Sequence, residues 1–148
     1  MGNRKRQSLS DRLRVINMCI FCKIISGEIP SNKIYEDENV LAFLDIYPNN
    51  PGHTLVISKK HHQNLEEIPE DDLKILIIAV KKIGHLLKLK LGVAGYNVCA
   101  NNDPVAGQVV PHFHFHVIPR QAGDGHALWR HREYQPGEAE EIVKKLKS

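Results

Sequence analysis

The sequence predicts an α+β domain, with an antiparallel sheet of about five strands, one long helix and shorter terminal helices. Three observations predict it. Short aromatic and β-branched runs separated by turn residues occupy 33–58 and recur at 96–120. Between them, residues 69–92 carry helical periodicity. Most of the connections are short turns, which suit antiparallel neighbours better than crossover units. A chain of 148 residues fits one domain. Residues 1–17 read as a basic, flexible or loosely helical N-terminal extension, and 18–148 as the domain with its C-terminal tail.

The elements follow in order. "CIFCKIISGEIP" (19–30) reads as a short helix that ends near Gly27 and Pro30. Lys33–Tyr35 and Val40–Leu44 read as a hairpin across the polar Glu36–Asn39 stretch. "NNPG" (49–52) is turn chemistry and "HTLVIS" (53–58) the next strand. Pro69 opens the long helix, Glu70, Asp71 and Asp72 complement its dipole, and Gly92 ends it. Leu73, Leu76, Ile77, Val80, Ile83 and Leu87 keep the helical period, while Ile75, Ile78 and Leu86 widen the apolar surface. Such a helix faces either a subunit interface or a deep core. "YNVCAN" (96–101) reads as a further strand and "GEAEEIVKKLKS" as a terminal helix.

"PHFHFHVIPR" (111–120) carries the chemistry. Its aromatic and β-branched residues, bracketed by Pro111 and Pro119, predict one strand. Alternate side chains share a face at about 6.6–6.8 Å along a strand. His112, His114 and His116 therefore line one face, and Phe113, Phe115 and Val117 pack the other. Two chemistries fit three such imidazoles. They can ligate a metal, or one can attack phosphorus while a second serves the leaving group. Cys19 and Cys22 have the C-x-x-C spacing of a zinc half-site. Cys99, in an apolar run, reads as core.

The segment "HFHFHVI" resembles the signature of the histidine triad family of nucleotide hydrolases and transferases. The likeness covers about residues 18–130, including "CIFCKIISGEIPSNKIYEDENVLAFLDIYPNNPGHTLVISKKH" and "NNDPVAGQVVPHFHFHVIPR". It is closest to the branch of nucleoside phosphoramidate hydrolases. The resemblance implies that His114 is the nucleophile at the α-phosphorus. It implies that His116 contacts phosphate and assists the leaving group, that His112 orients the site and that His53 supports the triad. By the same resemblance Asp45 binds the ribose hydroxyls, Phe21, Ile24 and Ile46 form the base pocket, and Asn101 and Gln108 contact phosphate. Val109 stands where the branch usually has Ser or Thr, so a side-chain donor is lost and the backbone N–H remains. The resemblance further implies structural Zn2+ on Cys19, Cys22, His61 and His112, with His62 and His53 as alternatives for the third ligand. It implies a purine nucleotide substrate and a homodimer with one continuous sheet.

Composition bounds the rest. With 42% hydrophobic and 25% charged residues, the chain resembles an ordinary soluble domain. It has neither a run of the roughly 18 apolar residues that a membrane span needs nor a secretory h-region. The expectation is a cytoplasmic protein with no membrane or nucleic-acid partner, its formal charge of +3 being concentrated near the N-terminus. Dinucleoside polyphosphate hydrolysis, a zinc hydrolase built on the three histidines, and nucleotide binding with weak catalysis are the alternatives. "HALWRHREY" (126–134) is expected to shape the leaving-group side through Trp129, Arg130 and Arg132. His85, His126 and His131 have no spacing that singles them out.

Overall fold

The computed structural model describes residues 8–127 and 129–148. Five strands form at Lys33–Glu36 (β1), Val40–Leu44 (β2), Thr54–Ser58 (β3), Gly95–Cys99 (β4) and His114–Arg120 (β5). They join in the order β1-β2-β3-β5-β4, and every neighbouring pair is antiparallel. Four helices form at Leu9–Met18 (α1), Ile20–Ile25 (α2), Glu70–Leu91 (α3) and Glu138–Lys147 (α4). The α+β class, the antiparallel sheet and the one long helix match the expectation.

The sheet is covered on both faces. Val40, Ala42, Val56, Phe113 and Val117 pack against Leu76, Val80, Ile83 and Leu87 of α3. Leu41, Phe43, Leu55 and Ile57 point the other way and pack against Cys19, Phe21 and Ile24 around α2. This double covering explains why β2 and β3 are buried almost continuously and do not alternate. A close approach accompanies it: a Cβ added at Gly84 of α3 would lie 2.2 Å from the Tyr96 ring of β4, so a larger residue there would have to displace that ring.

Three sequence expectations are corrected. β5 begins at His114, not near Pro111, because the last residue it pairs with on β3 is Ile57. Ahead of it, the Phe113 N–H turns to the His62 carbonyl. β5 also runs through Pro119, which lies beyond its last β3 pair at Val117, where a missing N–H breaks no bond to that strand. On α3, Ile77 is exposed, and Ala79 and Gly84 occupy the buried stripe. Ile75, Ile77 and Ile78 are exposed: Ile78 points away from the buried stripe, and Ile75 and Ile77 flank it on opposite sides. At the N-terminus, α1 is capped by Ser8, whose Oγ accepts the Asp11 N–H at 3.1 Å. Arg4, Lys5 and Arg6 lie outside the described residues.

Candidate active site and metal centre

β5 supplies the central histidines to the α2 face of the sheet. His114 is paired with Ile57 and His116 with Leu55, residues of the α2-side core. His114 is buried, and its ring lies edge-on to Phe21 at 5.1 Å. Its Nδ1 is 2.7 Å from the His112 carbonyl oxygen. A carbonyl only accepts, so His114 Nδ1 carries the proton and Nε2 keeps its lone pair. Burial holds the His114 pKa below its ordinary value, so that lone pair is free at neutral pH.

The same reasoning fixes two more rings. The backbone N–H of Asn49 donates to His53 Nδ1 at 3.1 Å. His53 must then carry its proton on Nε2, which lies 2.9 Å from His116 Nδ1. His116 accepts at Nδ1 and bears its proton on Nε2. That N–H is buried and has no protein partner among the described residues. Burial pushes the His116 pKa down to about 4, with the neighbouring His114 and His53 adding to the effect. The relay is therefore neutral, and it ends in a donor beside the His114 lone pair; the two rings are 4.9 Å apart between centroids.

The turn that delivers His53 depends on Gly52. Its φ is +91°, and a Cβ there would lie 2.7 Å from the Leu91 side chain. Asp45 sits just after β2. One of its carboxylate oxygens accepts the Tyr47 N–H at 2.9 Å, and the other lies 3.7 Å from His53 Nε2, beyond hydrogen-bond reach. Phe21 and Ile24 share one buried cluster, whereas Ile46 lies outside it and is 78% exposed.

The Asn101–Val110 loop borders β5. Asn101 Nδ2 donates to the Gly107 carbonyl at 3.2 Å. Gln108 is buried; its Nε2 donates to the Gln63 and Val110 carbonyls, and its Oε1 accepts the Asp103 N–H. The amide N–H groups of Gln108 are thus committed to backbone carbonyls, one within this loop and one at Gln63, which makes its side chain a brace between the two segments with no donor left for a phosphate. The Val109 side chain is exposed.

His112 lies on the same side, its ring edge-on to Phe21 at 5.8 Å, but its Nδ1 turns to the cysteines. Its Nε2 donates to the Ser58 carbonyl at 2.8 Å, which leaves Nδ1 as a lone pair 3.5 Å from Cys19 Sγ and 3.6 Å from Cys22 Sγ. His61 Nδ1 lies 3.4 Å from Cys22 Sγ. The four donor atoms lie within 4.8 Å of one another. Zinc bonds of about 2.3 Å to sulfur and 2.0–2.1 Å to nitrogen, at tetrahedral angles, separate sulfur from nitrogen by about 3.5–3.6 Å. The cluster therefore fits a four-coordinate metal. Burial raises both thiols. At Cys19, hydrogen bonds from His61 and from backbone N–H groups of α2 outweigh burial and lower its pKa. Cys22 is pushed up to about 12 by burial and by the neighbouring Cys19 charge. A metal bound by the pair would have to displace the thiol protons. His61 is the third ligand geometrically available; His62 is paired with Asp72 at 3.1 Å, and His53 belongs to the relay.

Several participants escaped sequence reasoning. The Asn49 N–H and the Ser58 carbonyl set tautomers as backbone groups, which no side-chain motif reveals. Asp72, which holds His62, read only as a helix-dipole residue. A cavity of about 260 Å³ lies beside Asn97, Cys99, Ile118 and Arg120 on the histidine face of the sheet, bounded by His126 and Trp129 of the tail.

The comparisons with known proteins agree with this geometry. A HIT domain model matches residues 26–123. An uncharacterised HIT-like protein of Methanocaldococcus jannaschii is 54% identical over 130 residues, which cover 88% of this chain and 99% of that one. Adenosine 5'-monophosphoramidase HNT1 of Candida albicans is 48% identical over 70% of each chain. Adenylylsulfatase HINT3 of Arabidopsis thaliana is 39% identical over 86% of this chain and 66% of that protein. A crystal structure of a Bacillus subtilis HIT family member superposes with a TM-score of 0.80 at 42% identity, covering 88% of this chain and 95% of the other. A zinc-bound histidine triad family protein of Mycobacterium smegmatis superposes with a TM-score of 0.73 at 34% identity, covering 89% and 97%. The matched domain, the relatives' identity over most of the chain and the triad strand together place this protein in the histidine triad (HIT) family.

Proposed function

We propose that the protein hydrolyses purine nucleoside 5'-phosphoramidates or related AMP–X compounds through a nucleotidyl-histidine intermediate. The observation that carries this reading is the pair of opposite tautomers: a lone pair on His114 Nε2 beside an N–H on His116 Nε2. In the first half, His114 Nε2 bonds to the α-phosphorus and the P–X bond breaks. His116 Nε2–H donates a hydrogen bond to the leaving atom, and X takes a proton from solvent as it departs. In the second half, water attacks phosphorus, the P–Nε2 bond breaks so that His114 Nε2 regains its lone pair, and the attacking water releases one proton to solvent, which balances the one taken up by X. The His112 carbonyl, held on His114 Nδ1–H, stabilises the ring while it carries the nucleotidyl group.

Asp45 retains lone pairs for a ribose diol. Phe21, Ile24 and Ile46 are the apolar groups for the base, and Asn101 with the Val109 N–H serves phosphate. Gln108 acts through the loop it braces. Cys19, Cys22, His61 and His112 would hold zinc. With four protein ligands it would act structurally, tying α2 and the His61 loop to the start of the triad segment. The names of the Candida and Arabidopsis relatives, a phosphoramidase and an adenylylsulfatase, both denote AMP–X cleavage and support the reaction class.

A homodimer is part of the reading. Its supports are the exposed isoleucines of α3, Ile75, Ile77 and Ile78, and the outer edge of β4, which has no strand partner within the described residues. Among the described residues no helix is long and apolar enough to cross a membrane; a cytoplasmic setting remains part of the proposal. Val109 favours a second reading, slow turnover with retained nucleotide binding, because an oxyanion donor can be worth about 10²–10³ in rate. Paired assays on adenosine 5'-phosphoramidate and diadenosine polyphosphate test the proposal. Faster turnover of the phosphoramidate is expected, and binding of both without turnover would refute it.

A further inference from the structure

We infer that His126 is a positioning residue that sets the tautomers of the His53–His116 relay from outside the site. The inference rests on the reading of His116 as the donor toward the leaving group. His126 Nε2 lies 2.7 Å from the Asn49 carbonyl oxygen. A carbonyl only accepts, so His126 donates whatever its charge. The N–H of Asn49 is the group that holds His53 Nδ1 at 3.1 Å. His126 thus grips the one residue whose amide dictates where the relay carries its protons.

The grip is built from both sides. Arg120 pairs with Asp124 through two hydrogen bonds of 2.6 and 3.0 Å and donates to the His126 carbonyl at 2.7 Å. Asp124 accepts the His126 N–H at 3.0 Å. The backbone of His126 is therefore clamped, and its ring is aimed at the 49–52 turn. On that turn, Pro48 and Pro51 flank Asn49 and Asn50 and limit the backbone alternatives. Asn49 is exposed, so burial does little to hold it. Asn50 Nδ2 adds a second tie to the Pro119 carbonyl and to Asp124.

The consequence follows from hydrogen-bond polarity. If the Asn49 N–H leaves His53 Nδ1, His53 can carry its proton there and present a lone pair at Nε2. His116 must then donate from Nδ1, and its Nε2 becomes a lone pair facing the substrate. An anionic phosphate or a departing atom would meet a lone pair where a donor belongs. The tail is thereby linked to the chemical step, through a residue that the triad motif does not contain.

The test uses the full-length protein with His126→Ala and His126→Gln. Glutamine keeps an N–H at similar reach; alanine removes it. Long-range proton–nitrogen NMR of the histidine rings reports each tautomer directly. Wild type should show His53 and His116 protonated at Nε2, His126→Ala a mixture, and His126→Gln the wild-type pattern. On adenosine 5'-phosphoramidate, His126→Ala should lower kcat about two- to tenfold, the worth of one hydrogen bond, with KM changed less than about twofold and kcat restored by glutamine. Unchanged His53 and His116 tautomers in His126→Ala would overturn the inference, as would a loss confined to KM. If the wild-type protein does not turn over the phosphoramidate, the functional reading fails, and the ring-nitrogen spectra alone decide this inference.

Discussion

The Nδ1 of His114 lies 2.7 Å from the carbonyl oxygen of His112, two residues back along the same chain. That contact pins the His114 proton and leaves Nε2 as a lone pair, the atom proposed to attack phosphorus. His114→Ala should abolish hydrolysis, with kcat falling at least about 10³-fold, while AMP binding stays within about threefold, because the ring acts after the nucleotide is seated. Steady-state kinetics and calorimetric titration with AMP check this. Substantial activity in the alanine variant would remove His114 from the nucleophile role.

The metal cluster makes a separate prediction. Protein purified without chelator should carry about one zinc per chain. Cys19→Ser with Cys22→Ser should lower Tm by about 10 °C or more, since each kcal/mol lost is worth several degrees at this length. The reaction rate of the folded fraction should change far less. Elemental analysis and calorimetry decide it, and zinc retained in the double serine variant would contradict the ligand set.

Acid should weaken the fold over a defined window. The unfolded His116 titrates near its ordinary value of about 6.5, and the folded ring is held to about 4, chiefly by burial. Between those values the unfolded chain binds the extra proton and the native chain does not. Stability is therefore fully present above about pH 6.5 and falls as pH drops toward 4. His53, lowered chiefly by burial, acts in the same direction. Urea unfolding at pH 7.5, 6 and 5 should show the fall, and His116→Asn should flatten it. Equal slopes in wild type and variant would place the acid sensitivity elsewhere.

The tail and the assembly are tested together. Trp129 borders the 260 Å³ cavity that lies beyond His116 on the site face. Trp129→Ala should change the ratio of rates on phosphoramidate and diadenosine substrates by more than about threefold, with the spectra of the relay unchanged. Light scattering should give twice the chain mass, and Ile78→Asp on the open face of α3 should lower it. A monomeric wild type, or an unaltered ratio, would refute the corresponding part.

Much of this architecture was legible in the sequence, because the strongest signals are local. The apolar period of 70–91, the turn residues at 49–52 and the alternation of His114, Phe115, His116 and Val117 each reflect spacing along one element. The rest depends on which backbone groups meet across the fold. His112 reads as the third member of a row, yet it sits ahead of β5 and turns its Nδ1 to two cysteines 93 and 90 residues away in sequence. His61 and His62 are adjacent and indistinguishable by type; only the loop geometry sends one to the cysteines and the other to Asp72. Gln108 reads as a phosphate contact, whereas its buried position commits the amide to three backbone partners. His126 carries no motif, because its partner is a carbonyl that every residue possesses.

Rapid-quench mass spectrometry of wild-type protein during turnover of adenosine 5'-phosphoramidate tests the central claim most directly. The account predicts a transient adenylylated peptide containing residues 111–120, with the added mass on His114 and absent from His114→Ala. Turnover at a measurable rate with no adenylylated peptide at any quench time, or with the mass on His116, would contradict it.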